Sequence, residues 1–244
     1  MSRITLLGVP IDVVTMAEAS ARIRDMLIGS TQCHVMTPNN EMLVQAYRDA
    51  SFRAVLNRTA LNVPDSTGVL WAARWVEQPL PERVTGVDLV ETLCTELDET
   101  HSVFFLGAAP GIAEDAADAL CRKNMHLRIA GTYAGSPDQS DAQEILQRIN
   151  ASGASLLFVA YGSPSQDLWI DAHLHAMPSV RVAMGVGGTF DFLAGTQRRA
   201  PLWMRSLGLE WLYRFMKQPS RWRRIWNAVG VFPLLIIARR SPAE

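Results

Sequence analysis

Short apolar runs alternate along the chain with longer stretches in which apolar residues recur every three or four positions. Residues 4–7 and 33–36 have the length and continuity of strands, and between them Ala19, Ile23, Met26 and Leu27 mark the inner face of a helix over residues 16–28. Further strand-like runs fall at residues 102–106, 127–130, 155–160 and 180–185. Helical periods over residues 112–123, 140–151 and 165–175 separate most of them. Alternation of this kind, with strands that are apolar almost throughout, predicts an α/β fold whose Rossmann-like parallel sheet is covered on both faces. The repeat is most regular over residues 100–195.

In such sheets the functional loops gather at the carboxyl ends of the strands. Four of these loops have unusual compositions: Thr37-Pro38-Asn39-Asn40, then Gly107 to Gly111, Tyr161 to Asp167, and Val186-Gly187-Gly188-Thr189-Phe190-Asp191. Glycine lets backbone amides approach a phosphate, and a following helix N-terminus adds partial positive charge. Three such loops in one half of the chain point to a nucleotide or sugar-phosphate site, although each alone also reads as a tight turn. No Gly-Lys-Ser/Thr occurs, which excludes the phosphate loop of nucleotide hydrolases. The Gly107 loop falls short of the full dinucleotide fingerprint and lacks a clear ribose-binding acid about 20 residues on, which disfavours a redox dinucleotide enzyme.

Composition divides the chain. With 244 residues, 48% hydrophobic and 19% charged, it is long enough for one large core or two small ones, and disordered and collagen-like classes are excluded. The net charge of −1 hides an asymmetry: residues 196–244 hold ten Lys or Arg against Glu210 and Glu244, a net +8, leaving residues 1–195 at −9. Trp203, Trp211, Trp222 and Trp226, four of the seven tryptophans, lie in the same segment. Arg214, Lys217, Arg221 and Arg224 recur at helical spacing, with Pro219 expected to kink or divide the helix. A basic, Trp-rich end implies a polyanionic partner, anionic lipid or nucleic acid. We therefore expect an α/β core over residues 1–195, with the nucleotide or sugar-phosphate site in its half at about 100–195, and a helical basic appendage over residues 196–244.

Cys33, Cys94 and Cys121 form no Cys-x-x-Cys pair and read as thiols of a reducing cytoplasm. The start of the chain lacks the pattern of a secretory signal. The longest apolar run, residues 228–238, would extend about 16 Å as a helix, against about 30 Å of bilayer hydrocarbon. The expected compartment is the cytoplasm, with the basic segment available to a polyanion there, either nucleic acid or the inner face of the cytoplasmic membrane.

Asp65 sits in a polar turn between apolar runs, where a carboxylate serves either as a general base or as the cap of a helix beginning near Thr67. His173 and His175, two apart on a helix, face different ways, and no Asp-x-Asp triplet is present to hold a divalent ion beside a diphosphate. No metal site and no cofactor are expected.

Thr37-Pro38-Asn39-Asn40, Pro64-Asp65, Glu82-Arg83-Val84-Thr85-Gly86 with Asp88, the Gly107 loop, Gly162-Ser163-Pro164-Ser165-Gln166, Gly185 to Asp191, Arg199-Ala200-Pro201 and Gly208 to Arg214 occur in an order that resembles the WecB/TagA/CpsF glycosyltransferases, glycosyltransferase family 26, over nearly the whole chain. The resemblance implies a bacterial inverting, metal-independent enzyme of cell-envelope or exopolysaccharide synthesis, working on a UDP-sugar and a polyprenyl-diphosphate-linked saccharide. It makes Asp65 the base and gives Thr37 the donor sugar or leaving group. Asn39, Arg83 and Gln166 would line the sugar and diphosphate pocket, with Asp191 and the glycines Gly107, Gly187 and Gly188 at the nucleotide. Arg214, Arg221 and Arg224 would reach the lipid diphosphate. Two positions depart from the family pattern: Ser66 follows the aspartate where glycine is usual, and Pro164-Ser165-Gln166-Asp167 replaces Pro-Lys-Gln-Glu.

Under this reading the partners are the UDP-sugar, the lipid-linked acceptor and the anionic membrane surface rather than nucleic acid, with self-association of the chain left open. The transferred sugar is N-acetylmannosamine, its uronic acid or a hexose such as glucose. The competing readings are a nicotinamide-dependent oxidoreductase and a nucleic-acid-binding adaptor.

Overall fold

A computed structural model describes residues 2–240, apart from the side chains of Ser206, Arg214, Arg221 and Arg240. The chain opens with β1 (Arg3–Leu6), β2 (Val9–Asp12) and α1 (Met16–Ile28), followed by β3 (Cys33–Met36), α2 (Asn40–Arg48), α3 (Ala50–Arg58) and β4 (Leu61–Asn62). Next come α4 (Thr67–Trp75), α5 (Gly86–Glu96), β5 (Ser102–Gly107), α6 (Ile112–Cys121), β6 (Arg128–Tyr133), α7 (Ala142–Ser152), β7 (Leu156–Ala160), α8 (Ser165–His173), β8 (Val182–Gly185) and α9 (Thr189–Leu193). The C-terminal segment holds α10 (Leu202–Ser206), α11 (Glu210–Lys217), α12 (Trp222–Trp226) and α13 (Phe232–Arg240).

Six strands form a parallel sheet in the order β4-β3-β8-β7-β5-β6. The α/β, Rossmann-like expectation is met. β5 and β7 are buried at every residue, as strands covered on both faces must be, whereas β6 at the sheet edge is half-buried. On one face α1, α5, α6 and α9 cover the sheet, and there Phe105 packs edge-on against Phe158 (5.6 Å between centroids) and at a tilt against Phe190 (5.1 Å). On the other face α7 and α8 bury Ile145, Ile149, Trp169 and Ile170. α1 is fixed at its start by a capping box, in which the Thr15 hydroxyl accepts from the Glu18 amide and the Glu18 carboxylate accepts from the Thr15 amide at 2.8 Å.

Two expectations need correction. The run at residues 4–7 supplies no strand of the parallel sheet; β1 pairs antiparallel with β2 in a separate hairpin. Leu7 (φ 52°) and Gly8 (φ 82°) form its two-residue turn, the geometry that matches strand twist in tight hairpins. The boundary at residue 196 is likewise not a boundary of packing. Pro219 does divide the basic segment, starting a 3₁₀ turn between α11 and α12, but beyond it α13 returns to the body of the protein. Phe232 and Ile236 are buried with β1, β2, α2, α3 and α4 in one hydrophobic cluster. Residues 1–195 therefore do not contain the whole core.

Candidate active site

β3 and β8 lie side by side where the two halves of the sheet meet, and a cleft of about 680 Å³ opens beyond their carboxyl ends. Its floor is built from loops tied to each other by backbone bonds. The Asp65 amide donates to the Pro38 carbonyl at 3.1 Å, and the Val84 amide donates to the Pro64 carbonyl at 2.9 Å. The turn after β4 is thereby locked between the loop after β3 and the entry to α5. Gly86, first residue of α5, lies over the result: a methyl group added there would meet Thr37 Oγ1 at 3.4 Å and Asp65 Oδ2 at 3.8 Å. The Thr37 hydroxyl and the Asp65 carboxylate thus flank a single point. The cap of α4 is Ser66, whose Oγ accepts from the Val69 amide at 3.3 Å, so the capping role open to Asp65 in the sequence is taken by its neighbour.

The opposite wall is organised by Gln166. Its Oε1 accepts from the Gly162 amide at 3.0 Å and from the Gly187 amide at 2.9 Å, clamping the loops after β7 and β8 together. Gly185 leaves the space this needs, because a Cβ there would fall 2.5 Å from Gln166 Nε2. Gly162 (φ 80°) and Gly187 (φ 53°) adopt the left-handed conformation that glycine reaches at little cost.

Among the described residues five cations line the cleft: Arg83, Arg198, Arg199, Lys217 and Arg224. Arg83 faces Glu210 at 3.7 Å, Arg224 pairs with Glu41 at 2.5 Å, and Arg199 makes a two-pronged contact with Asp88. Burial pushes the Asp88 carboxyl up, but the bonds from Arg199 and Thr85 outweigh it and hold the group below the usual carboxylate range. Burial likewise lowers Arg199, and its bonds to Asp88, with the fields of Glu210 and Asp65, more than offset that. A pocket with a carboxylate and a hydroxyl on its floor and guanidinium groups around its wall has the elements of group transfer from a phosphorylated donor.

The Glycosyl transferase WecG/TagA/CpsF family profile matches residues 4–244. The chain belongs to this family. It is similar to an N-acetylglucosaminyldiphosphoundecaprenol N-acetyl-beta-D-mannosaminyltransferase of Bacillus spizizenii, 34% identical over 211 residues covering 86% of this chain and 81% of that protein. A Staphylococcus aureus protein of the same name is 30% identical over 227 residues, 92% of this chain and 87% of its own length. Membership makes the chain a glycosyltransferase.

In this WecG/TagA/CpsF chain the cleft brings together Thr37, Asn39, Asp65, Arg83, Gln166, Gly187, Gly188 and Arg224. Asn39 Oδ1 caps α2 by accepting from the Met42 amide at 3.1 Å, and Gln166 Oε1 is occupied by two amides, so each has its amide NH₂ for a ligand. Gly107 and Asp191 do not line the cleft. Gly107 (φ 101°) is needed where β5 meets β7, since a Cβ would lie 2.8 Å from the Ala160 carbonyl carbon. The Asp191 carbonyl accepts from Thr196 Oγ1 and the Gln197 amide, shaping the exit from α9. The side chains of Arg214 and Arg221 lie outside the described residues. Arg198, Lys217 and Glu41 line the cleft although no sequence motif picks them out as site residues, and Arg199, Glu210 and Tyr213 line it as members of the Arg199–Pro201 and Gly208–Arg214 motifs. Among the described residues no group of three or more His, Cys, Asp or Glu is arranged to hold a metal ion.

Proposed function

We propose that the protein transfers N-acetylmannosamine, or a closely related sugar, from a UDP-sugar to a polyprenyl-diphosphate-linked saccharide in cell-envelope polysaccharide synthesis. The observation that carries this reading is the convergence of Thr37 and Asp65 on Gly86 at the floor of a cleft lined by Arg83, Arg198, Arg199, Lys217 and Arg224. Asp65 accepts the proton of the acceptor hydroxyl as its oxygen attacks the anomeric carbon. The new carbon–oxygen bond forms on the face opposite the breaking bond to the diphosphate, so the anomeric configuration inverts. UDP departs with the electron pair, stabilised by the guanidinium groups and by the loop amide of Gly188 rather than by a metal ion. Thr37 holds the donor sugar beside the base. The printed names of the relatives favour N-acetylmannosamine over its uronic acid or glucose, and an N-acetylglucosaminyl diphospholipid as acceptor.

A lipid-linked acceptor calls for a membrane-facing enzyme. Among the described residues no helix is long and apolar enough to cross a bilayer, and exposed Trp203, Trp222 and Trp226 sit among the basic residues of the C-terminal segment. Peripheral binding to the anionic cytoplasmic face fits this surface. The test is Asp65→Asn in an assay of labelled sugar transfer from UDP-N-acetylmannosamine to an N-acetylglucosaminyl diphospholipid. Loss of turnover on the order of 10² to 10⁴ is expected for a general base; near-normal turnover would overturn the assignment. A parallel screen of UDP-sugars identifies the donor.

A further inference from the structure

Asn40 occupies a position that neither substrate binding nor capping explains. Its Oδ1 accepts from the Ser66 hydroxyl at 2.6 Å, and its Nδ2 donates to the Ala228 carbonyl at 2.8 Å. One planar amide therefore joins the residue next to Asp65 to the C-terminal segment, 188 residues away in sequence. The contact is built for. Gly68 has no side chain because Asn40 lies where one would be: a Cβ on Gly68 would come within 2.0 Å of Asn40 Nδ2.

The other end of the bridge depends on a local irregularity. Residues Asn227–Val231 form a π-helical turn, in which the Phe232 amide donates five residues back to the Asn227 carbonyl. In that register the Ala228 carbonyl looks to residue 233, which is Pro233 and has no N–H. The carbonyl is left without a donor in that register, and a partly buried carbonyl is better satisfied by one. Asn40 supplies it. Proline, π-turn, carbonyl, amide and hydroxyl form a continuous chain that ends on the α4 cap beside Asp65.

We propose that Asn40 is a positioning residue through which docking of the C-terminal segment sets the geometry of the Asp65 turn. With the segment docked, Ala228 fixes the Asn40 amide, Asn40 fixes the Ser66 hydroxyl, and Ser66 holds the first turn of α4. Without the Ala228 contact the amide is free to rotate and the turn loosens. The base is then fully set only when the segment that carries Lys217 and Arg224 into the cleft is in place. The catalytic part of this inference rests on the reading of Asp65 as the base.

The discriminating variant is Asn40→Asp in the full chain, which keeps an acceptor for Ser66 but turns a second oxygen toward the Ala228 carbonyl. With UDP-N-acetylmannosamine and an N-acetylglucosaminyl diphospholipid in detergent, kcat is expected to fall on the order of tenfold to a hundredfold, as for a misplaced catalytic group, while the donor KM stays within about twofold. Amide hydrogen exchange, which needs no substrate, is expected to rise over residues 225–232 and 66–72 while the remainder of the sheet stays protected. Combining Asn40→Asp with Ser66→Ala is expected to cost no more than the worse single change, as for residues acting in series, and Ser66→Thr, which keeps the hydroxyl, should retain activity. An unchanged kcat, additive losses, or exchange that rises throughout the protein would overturn the proposal. Asp65→Asn in the same assay separates the two readings. An active Asp65→Asn removes the base and leaves the exchange result to stand alone, whereas an inactive Asp65→Asn beside a wild-type Asn40→Asp removes the bridge.

Discussion

The Arg224 guanidinium donates to the Glu41 carboxylate at 2.5 Å, joining α12 to the first turn of α2 across the mouth of the cleft. Both side chains are partly solvated, so the pair contributes at most about 1 kcal/mol to folding. Its larger consequence is for binding, because Glu41 competes with any phosphate for Arg224. Glu41→Gln is therefore expected to leave the melting temperature nearly unchanged and to lower the KM for the lipid-linked acceptor about two- to fivefold, an effect of under 1 kcal/mol. Steady-state kinetics at fixed donor concentration measures it. A raised KM would show that the pair serves closure of the segment more than it opposes the ligand.

Gln166 allows fold and chemistry to be separated at one position. Gln166→Leu leaves the Gly162 and Gly187 amides without their acceptor, at a cost of about 2 kcal/mol or more, read from urea denaturation. Gln166→Glu keeps the acceptor and most of that stability, but adds a negative charge to the wall of an anion-binding cleft. It is expected to raise the UDP Kd by tenfold or thereabouts at low salt, with the difference shrinking as salt is added.

Asp88 makes stability depend on acid. Its carboxyl is held below its ordinary value of 3.8 by Arg199 and Thr85, so the folded state binds that proton less readily than the unfolded chain. The contribution is complete above about pH 4 and disappears as the pH falls through the lowered folded value. Asp88→Asn removes it, so the gap in unfolding free energy between wild type and variant should be constant from pH 7 to about pH 4.5 and narrow below. Denaturant titrations across that range test the sign; a gap that widens toward acid would contradict it.

These residues also show how far the sequence is legible. Burial on both faces leaves β5 and β7 little choice but continuous apolar residues, so the parallel sheet is visible in one dimension. The Leu7-Gly8 hairpin is not, because a four-residue apolar run has the same appearance in either sheet. Asp65 and Thr37 stand out because polar residues interrupt apolar runs at strand ends, yet the choice between base and cap at Asp65 required knowing that Ser66 takes the cap. Arg198 and Lys217 join the cleft only through the path the chain takes after α9, which no local pattern encodes. The sharpest loss is Phe232. Within a short apolar run at the end of a basic tail it reads as part of an appendage, whereas folding buries it in a core.

That placement makes truncation a strong test. Removing residues 196–244 strips Phe232 and Ile236 from the cluster around the β1–β2 hairpin, so a 1–195 fragment is expected to express poorly or to unfold at ordinary temperature. Phe232→Ala in the full chain should cost about 3–5 kcal/mol, as for other fully buried phenylalanines. Calorimetry and urea midpoints give the value, and a loss under 1 kcal/mol would return α13 to the status of a detachable tail.

The membrane reading makes the last prediction. Trp222 and Trp226 are four apart on α12, hence on one side of it, and both are exposed; Arg223 lies over the Trp222 ring at 5.3 Å. Neither tryptophan lines the cleft, so changing the pair removes no cleft side chain. The Trp222→Ala, Trp226→Ala double variant should retain wild-type turnover on a short-chain, water-soluble diphospho-sugar acceptor. It should also lose much of its cosedimentation with vesicles rich in phosphatidylglycerol, and turn over the polyprenyl substrate in those vesicles more slowly. Wild-type binding should itself weaken as salt rises from about 0.1 M to 1 M, where the screening length contracts from about 10 Å to 3 Å, because cations and rings act together at the headgroup level. Equal binding by both proteins would assign these rings to another surface, and loss of turnover on the soluble acceptor would draw α12 into catalysis itself.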